Sequence, residues 1–155
     1  MLATGGGAGY APVAPGTFGS AVGVLVYLPL ASLDSGLYSI TVLALIFLAI
    51  WAADEAERVF ARKDDGRIVI DEIVGQLLTL APLVLLAPRI ELRSPLWLVT
   101  GFVLFRCLDI WKPGPVRWAE EHFRGGAGVV LDDVVAGLFA GVVLGVAALA
   151  VSEGS

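Results

Sequence analysis

Long apolar runs, broken by short charged or turn-forming stretches, divide this chain. Residues 1–20 are rich in glycine and proline and read as a loop leading to a helix start, with Pro15 suited to a turn and Thr17 or Ser20 to a helix cap. Apolar residues 20–33 follow, then a turn at Asp34-Ser35-Gly36, then apolar residues 37–53. A helix that crosses a bilayer needs about 20 apolar residues, with about 17 as the lower limit. The second run meets that limit and the first falls short of it. Residues 54–72 hold seven acids and four cations and must be solvated. Within them, 54–63 reads as a helical extension past the membrane and Asp64-Asp65-Gly66 as a turn.

Apolar residues resume at 73–87, behind Asp71 and Glu72. On a helix, Glu72, Gln76 and Thr79 share one face. Hydrocarbon cannot satisfy such a stripe, so it is predicted to face the bundle interior, with Pro82 as a kink. A turn at Pro88–Pro95 carries Arg89, Glu91 and Arg93. Apolar residues 96–108 are again short for a span, but the helix can run on to Lys112 before Pro113 stops it. Arg106, Asp109 and Lys112 then lie on one side of it. Val116–Phe123 reads as a short amphipathic surface helix, and Gly125-Gly126-Ala127-Gly128 as a break. Residues 134–151 form the cleanest predicted span. Gly137, Gly141 and Gly145 recur there every fourth residue, a smooth stripe that lets another helix approach closely, with Asp133 at its head. Small residues are also common in any membrane helix, so the stripe alone does not fix a partner.

The pattern predicts an all-α, polytopic membrane bundle of about four or five hydrophobic helices, forming a single domain over residues 1–155. Composition agrees: 57% of residues are hydrophobic and 16% charged, with mean hydropathy +0.86, against about 25% charged in a soluble domain. A net charge of −5 argues against a nucleic-acid partner. The first cation is Arg58, so a basic leader is missing and the apolar segments are expected to persist in the mature protein. If five segments alternate, the loops at 1–19, 54–72 and 109–132 share one face. Eight cations then lie on that face against Arg89 and Arg93 on the other, which makes it cytoplasmic. Trp51, Trp97, Trp111 and Trp118 suit interfacial anchoring. Cys107, the single cysteine, sits in an apolar run and is expected to pack inertly.

The shared face gathers Asp71, Glu72, Asp109, Asp132 and Asp133. Neighbouring carboxylates repel unless a cation compensates. Mg²⁺ suits that role, as a hard ion that takes oxygen ligands and substrate phosphate. His122 is the only histidine, which argues against histidine ligands or a histidine nucleophile and leaves it as a surface residue. Arg106, Lys112 and Arg117 are cations suited to gripping phosphate oxygens. Acids, Mg²⁺ and cations together are equipment for phosphoryl transfer. Ion pairing between helix ends explains the same residues without catalysis. For Thr17 and Ser20, a capped helix start is the simpler reading beside a phosphate cradle at the helix N-terminus.

Four blocks carry a resemblance. They are Pro-Val-Ala-Pro-Gly-Thr-Phe-Gly-Ser (12–20), Ile-Val-Ile-Asp-Glu-Ile-Val-Gly (68–75), Phe-Arg-Cys-Leu-Asp-Ile-Trp-Lys-Pro-Gly-Pro-Val-Arg-Trp (105–118) and Gly-Gly-Ala-Gly-Val-Val-Leu-Asp-Asp-Val-Val-Ala-Gly (125–137). In this order they resemble the phosphatidylglycerophosphatase A family. Asp64-Asp65-Gly66 departs from the Asp-Pro-type turn of many members. The resemblance implies a Mg²⁺-dependent, multi-pass phosphatase of the bacterial inner membrane, which converts phosphatidylglycerophosphate to phosphatidylglycerol and phosphate. It implies metal ligation by Asp71, Glu72, Asp132 and Asp133, with Asp109 as ligand, base or nucleophile. It also implies catalytic roles for Asp71 and Asp133 beside Asp109. Arg106, Lys112 and Arg117 would hold phosphate, and Thr17 and Ser20 would line the pocket. Attack by water is preferred to an aspartyl-phosphate route, since no nucleophile stands out. The oligomeric state, including a homo-oligomer, stays open. A small cation transporter or channel subunit is the non-enzymatic alternative and requires carboxylates near mid-membrane.

Overall fold

Proline and glycine set where the first long helix begins. Pro15 occupies the first turn of α1 (Pro15–Leu30), where a missing N–H costs nothing, and Ala14 before it is left-handed at φ 49°. No side chain caps α1. The Ser20 hydroxyl instead donates to the Gly16 carbonyl one turn back, at 3.0 Å. The structure, a computed structural model, describes residues 1–86 and 94–153. Among these residues every element is helical: a 3₁₀ turn at Gly5–Tyr10, then six α-helices.

Asp34 caps α2 (Ser35–Phe60) by accepting from the N–H groups of Gly36 and Leu37, both at 3.0 Å. The helix continues through the charged residues 54–60, as the sequence predicts. α3 (Ile70–Leu85) begins at the acidic pair and contains Pro82. α4 (Pro95–Trp111) ends where Lys112 turns left-handed, φ 47°, ahead of Pro113. α5 (Gly114–His122) is the short amphipathic helix. The predicted turn at 88–95, with Arg89, Glu91 and Arg93, falls largely outside the described residues.

α6 (Gly126–Glu153) starts eight residues before the apolar run. Only Gly125, at φ 63°, breaks the chain. Gly126 is already helical, and α2 passes so close that a Cβ there would enter the Ile50 carbonyl. Asp54 of α2 accepts from the Gly126 N–H at 3.3 Å, capping α6 across the helix pair. Asp132 and Asp133 therefore lie nearly two turns inside α6, not in a loop before it.

α2 and α6, with 26 and 28 residues, are long and apolar enough to cross a membrane. α1, α3 and α4 have 16, 16 and 17 residues, about 24–26 Å against a hydrocarbon core of about 30 Å. Leu25, Ile40, Phe47, Val99, Val142 and Val146 are exposed on the outside of the bundle, a wall that suits lipid better than water. Cys107 belongs to that wall. It is exposed, not packed inside, since α4 turns Gly101 and Phe105 inward and Val103, Cys107 and Ile110 outward. Trp51, Trp111 and Trp118 are exposed as well, and His122 stacks on Trp118 with centroids 4.6 Å apart.

α3 sits at the centre of the bundle, between two smooth faces. Gly137, Gly141 and Gly145 of α6 meet Gly75, Leu78 and Pro82 of α3. A Cβ on Gly75 would lie 2.5 Å from the Phe105 ring and 2.9 Å from the Asp133 carbonyl. From the other side α1 approaches through Gly16, Gly19 and Gly23. Cβ atoms on Gly19 and Gly23 would each lie 2.8 Å from another Cβ, that of Val69 just before α3 and that of Gln76 within it. The α6 stripe was legible in the sequence; the α1 stripe, at i, i+3 and i+7, is new. Gln76 and Thr79 are fully buried, so the polar stripe of α3 faces inward as expected. Close backbone approach suits helices in lipid, where van der Waals contact replaces the hydrophobic effect as the source of adhesion.

Candidate active site

The first turn of α3 delivers Asp71 and Glu72, where the partial positive charge of a helix N-terminus favours anions. The early turns of α6 deliver Asp132 and Asp133, and the last turns of α4 deliver Arg106, Asp109 and Lys112. The tight α3–α6 contact at Gly75 and Gly137 brings the first two sets together. One carboxylate oxygen from each of Asp71, Glu72 and Asp133 lies within 4.8 Å of the others. Asp71, Asp132 and Asp133 are all buried. Four buried carboxylate oxygens, Asp71 Oδ1, Glu72 Oε2, Asp132 Oδ1 and Asp133 Oδ2, have no hydrogen-bond partner among the described residues.

These acids line a cavity of about 340 Å³, with Asp109 and Glu120 also in its wall. Its cations are Lys63 and Lys112. Lys112 is held on both sides, with Nζ 2.8 Å from Asp132 Oδ2 and 2.8 Å from Glu120 Oε1. Burial alone would lower its ammonium, but hydrogen bonds to Asp132 and Glu120 carry it above the ordinary lysine value. Arg106 stands behind the wall. Its Nη1 lies 2.6 Å from Asp109 Oδ2, 3.9 Å from Glu72 Oε1 and 3.5 Å from Ser20 Oγ. Gly16 of α1 packs directly on the Glu72 carboxylate, where a Cβ would displace the Glu72 side chain.

The residues singled out from the sequence thus separate into layers. Asp71, Glu72, Asp109, Asp132, Asp133 and Lys112 meet around the cavity. Arg106 and Ser20 support it from behind, through the contacts just given. Thr17 and Arg117 are absent from its wall, and Arg117 is exposed on α5. Sequence reasoning missed Lys63, Asp64 and Glu120 in the wall, and Gly16 against Glu72. The one available signal was the glycine spacing of 16, 19 and 23. A larger groove of about 620 Å³ between α2, α3 and α6 is almost wholly apolar and holds none of these acids.

The loop between α2 and α3 closes one side of the cavity. Arg67 anchors it: its backbone N and its Nε donate to Asp65 Oδ1 at 3.0 and 2.7 Å, and its Nη2 to Asp65 Oδ2 at 2.9 Å. The Arg67 guanidinium also stacks 3.9 Å over the Phe60 ring. Hydrogen bonds from the Arg67 side chain hold the Asp65 carboxyl down at about 2.

Comparison with known proteins bears on what this cavity does. The family model of phosphatidylglycerophosphatase A matches residues 1–148. The chain belongs to the phosphatidylglycerophosphatase A family. It is 35% identical to phosphatidylglycerophosphatase A of Escherichia coli (strain K12) over 144 residues, covering 93% of this chain and 80% of that one. It is 34% identical to the Haemophilus influenzae (strain Rd) protein of the same description over 145 residues, 93% of this chain and 85% of that one. A putative phosphatidylinositol-3-phosphatase of Bacteroides thetaiotaomicron is 36% identical over 152 residues, 95% and 91% of the two chains. No solved structure matches. Membership of the phosphatidylglycerophosphatase A family makes this chain a phosphatase and disfavours the transporter alternative. The acids agree, since they gather at one end of the bundle around α3 and α6, away from its middle.

Proposed function

We propose that this protein is a Mg²⁺-dependent phosphatase that removes the terminal phosphate of phosphatidylglycerophosphate, leaving phosphatidylglycerol, at the cytoplasmic face of a bacterial inner membrane. The observation that carries the proposal is the meeting of Asp71, Glu72 and Asp133 from two helices, with buried oxygens left unpartnered. A buried carboxylate oxygen without a partner is costly. Several together fit a hard divalent cation, which Asp71, Glu72 and Asp133 would hold, with Asp132 beside them. Bound there, Mg²⁺ would neutralise the acids and draw charge from a phosphoryl oxygen.

The chain's own groups supply the rest. Arg106 engages Asp109 Oδ2 and so leaves Oδ1 to accept a proton from the attacking water. The water oxygen bonds to phosphorus as the bond to the glycerol oxygen breaks, and the proton that Asp109 accepted passes to that oxygen. Ser20 and Glu72 steady Arg106, which makes Arg106 a positioning residue for Asp109. Lys112, tied to Asp132 and Glu120, fixes α4 and α5 against α6.

Five passes, α1 to α4 and α6, place the polar ends of all these helices on one side. The cations Arg58, Arg62, Lys63, Arg67, Arg106, Lys112, Arg117 and Arg124 belong to that end, which supports a cytoplasmic site. The three shorter helices need local thinning of the bilayer or cover from their neighbours. The acyl chains then stay in lipid while the headgroup reaches the cavity.

Phosphate release from phosphatidylglycerophosphate in mixed micelles tests the proposal. Release is expected with Mg²⁺, none after chelation, and a kcat about 10²–10⁴ lower in Asp109→Asn with little change in KM. Equal or faster release from phosphatidylinositol 3-phosphate would refute the substrate assignment. Full activity in chelator would refute the metal.

A further inference from the structure

Even with one divalent cation among them, the acids of the cavity wall outnumber its cations, which an anionic substrate must face. Seven acids line it: Asp64, Asp71, Glu72, Asp109, Glu120, Asp132 and Asp133. Against them stand Lys63 and Lys112. Lys112 is committed to two carboxylates at 2.8 Å. Arg106, behind the wall, is committed to Asp109. Lys63 is exposed and, among the described residues, forms no ion pair or hydrogen bond with a carboxylate. It is the wall's one cation with its charge unspent.

The backbone around Lys63 is held in place. Ala61, which ends α2, and Asp64, which follows Lys63, are both left-handed, φ 50° and 47°, so the chain turns sharply here. The Asp64 N–H donates to Glu57 Oε1 at 2.7 Å, which ties the loop back to α2. The Asp65–Arg67 contacts pin its other end. A flexible side chain is thus mounted on a fixed backbone at the rim of an acidic cavity.

We propose that Lys63 receives the phosphoryl group to be removed, a phosphate monoester dianion, and sets the protein's affinity for it. This rests on the phosphatase reading above. An ammonium supplies up to three donors as a point charge, which suits a tetrahedral dianion turning in its site. Arginine in its place keeps the charge and most of the effect. Lys63 makes no contact that the fold needs, so its loss is felt by the substrate and not by stability.

Two readouts on the purified full chain in detergent with Mg²⁺ test this. One is binding of inorganic phosphate, by calorimetry or ³¹P NMR. The other is the steady-state kinetics of phosphate release from phosphatidylglycerophosphate. A charge-assisted hydrogen bond is worth enough to predict about tenfold weaker phosphate binding in Lys63→Ala. KM is expected to rise by about the same factor with kcat within about twofold. Lys63→Arg should stay within about threefold of the wild type in both. Arg62→Ala, whose side chain is absent from the cavity wall, should leave both unchanged. Unchanged phosphate affinity in a folded Lys63→Ala overturns the proposal. So does a raised KM with unchanged phosphate affinity, because Lys63 would then hold the diester phosphate of the lipid instead. A wild type that binds phosphate through Lys63 but hydrolyses no phosphatidylglycerophosphate removes the assigned reaction and leaves this proposal standing.

Discussion

Glu72 shows how much one side chain depends on a neighbour without one. Its carboxylate packs against the backbone of Gly16, and Arg106 approaches from the same side, so a methyl group at residue 16 fits only if the Glu72 side chain moves. Gly16→Ala should therefore push Glu72 out of line with Asp71 and Asp133 and lower kcat/KM about tenfold or more, as misplacement by about 1 Å does elsewhere. Gly66→Ala is the control, since a Cβ there meets nothing within 4 Å. Its activity and thermal midpoint should match the wild type. Equal activity in both variants would show that Gly16 does not position Glu72. Residue identity made the acids easy to find in the sequence. It could not show that Arg106, so apt for phosphate, spends its charge on Asp109 and Glu72, because that depends on how α4 is rotated against α3.

Among the elements, α3 and α6 determine the site, since the acids of each reach the cavity only if the two backbones nearly touch. Gly137 stands against the Gly75 carbonyl, whereas a Cβ on Gly141 would still be 3.0 Å from the Leu78 carbonyl. Gly137→Ala should cost about 1–3 kcal/mol, as overpacking does, and lower the thermal midpoint in detergent more than Gly141→Ala. Midpoints in the reverse order would contradict this contact. The period-four stripe of α6, the inward stripe of α3 and the stop of α4 at Pro113 were all legible, because each follows from local spacing. The early start of α6 was not. Glycines at 125–128 read as a break, but Gly126 starts the helix, with α2 packed against it and Asp54 accepting from its N–H.

At the scale of the whole molecule, six helices of unequal length place residues some sixty positions apart in one cavity. The expectation of four or five spans came from counting apolar runs. Among the described residues, α2 and α6 are of full spanning length, α1, α3 and α4 are shorter apolar helices, and α5 is a short amphipathic one, a distinction that run length alone blurs where charged flanks extend or cut a helix. Convergence depends on tertiary packing: the acid-bearing ends of α3, α4 and α6 lie together around one cavity, which no run of the sequence shows by itself. The account therefore turns on whether Asp71 and Asp133, from different helices, share one metal. Titrating Mg²⁺ into the purified protein by calorimetry, with wild type, Asp71→Asn and Asp133→Asn compared at matched helix content, tests this most directly. The account predicts that either substitution alone weakens Mg²⁺ binding at least tenfold. Wild-type affinity in both variants would contradict it.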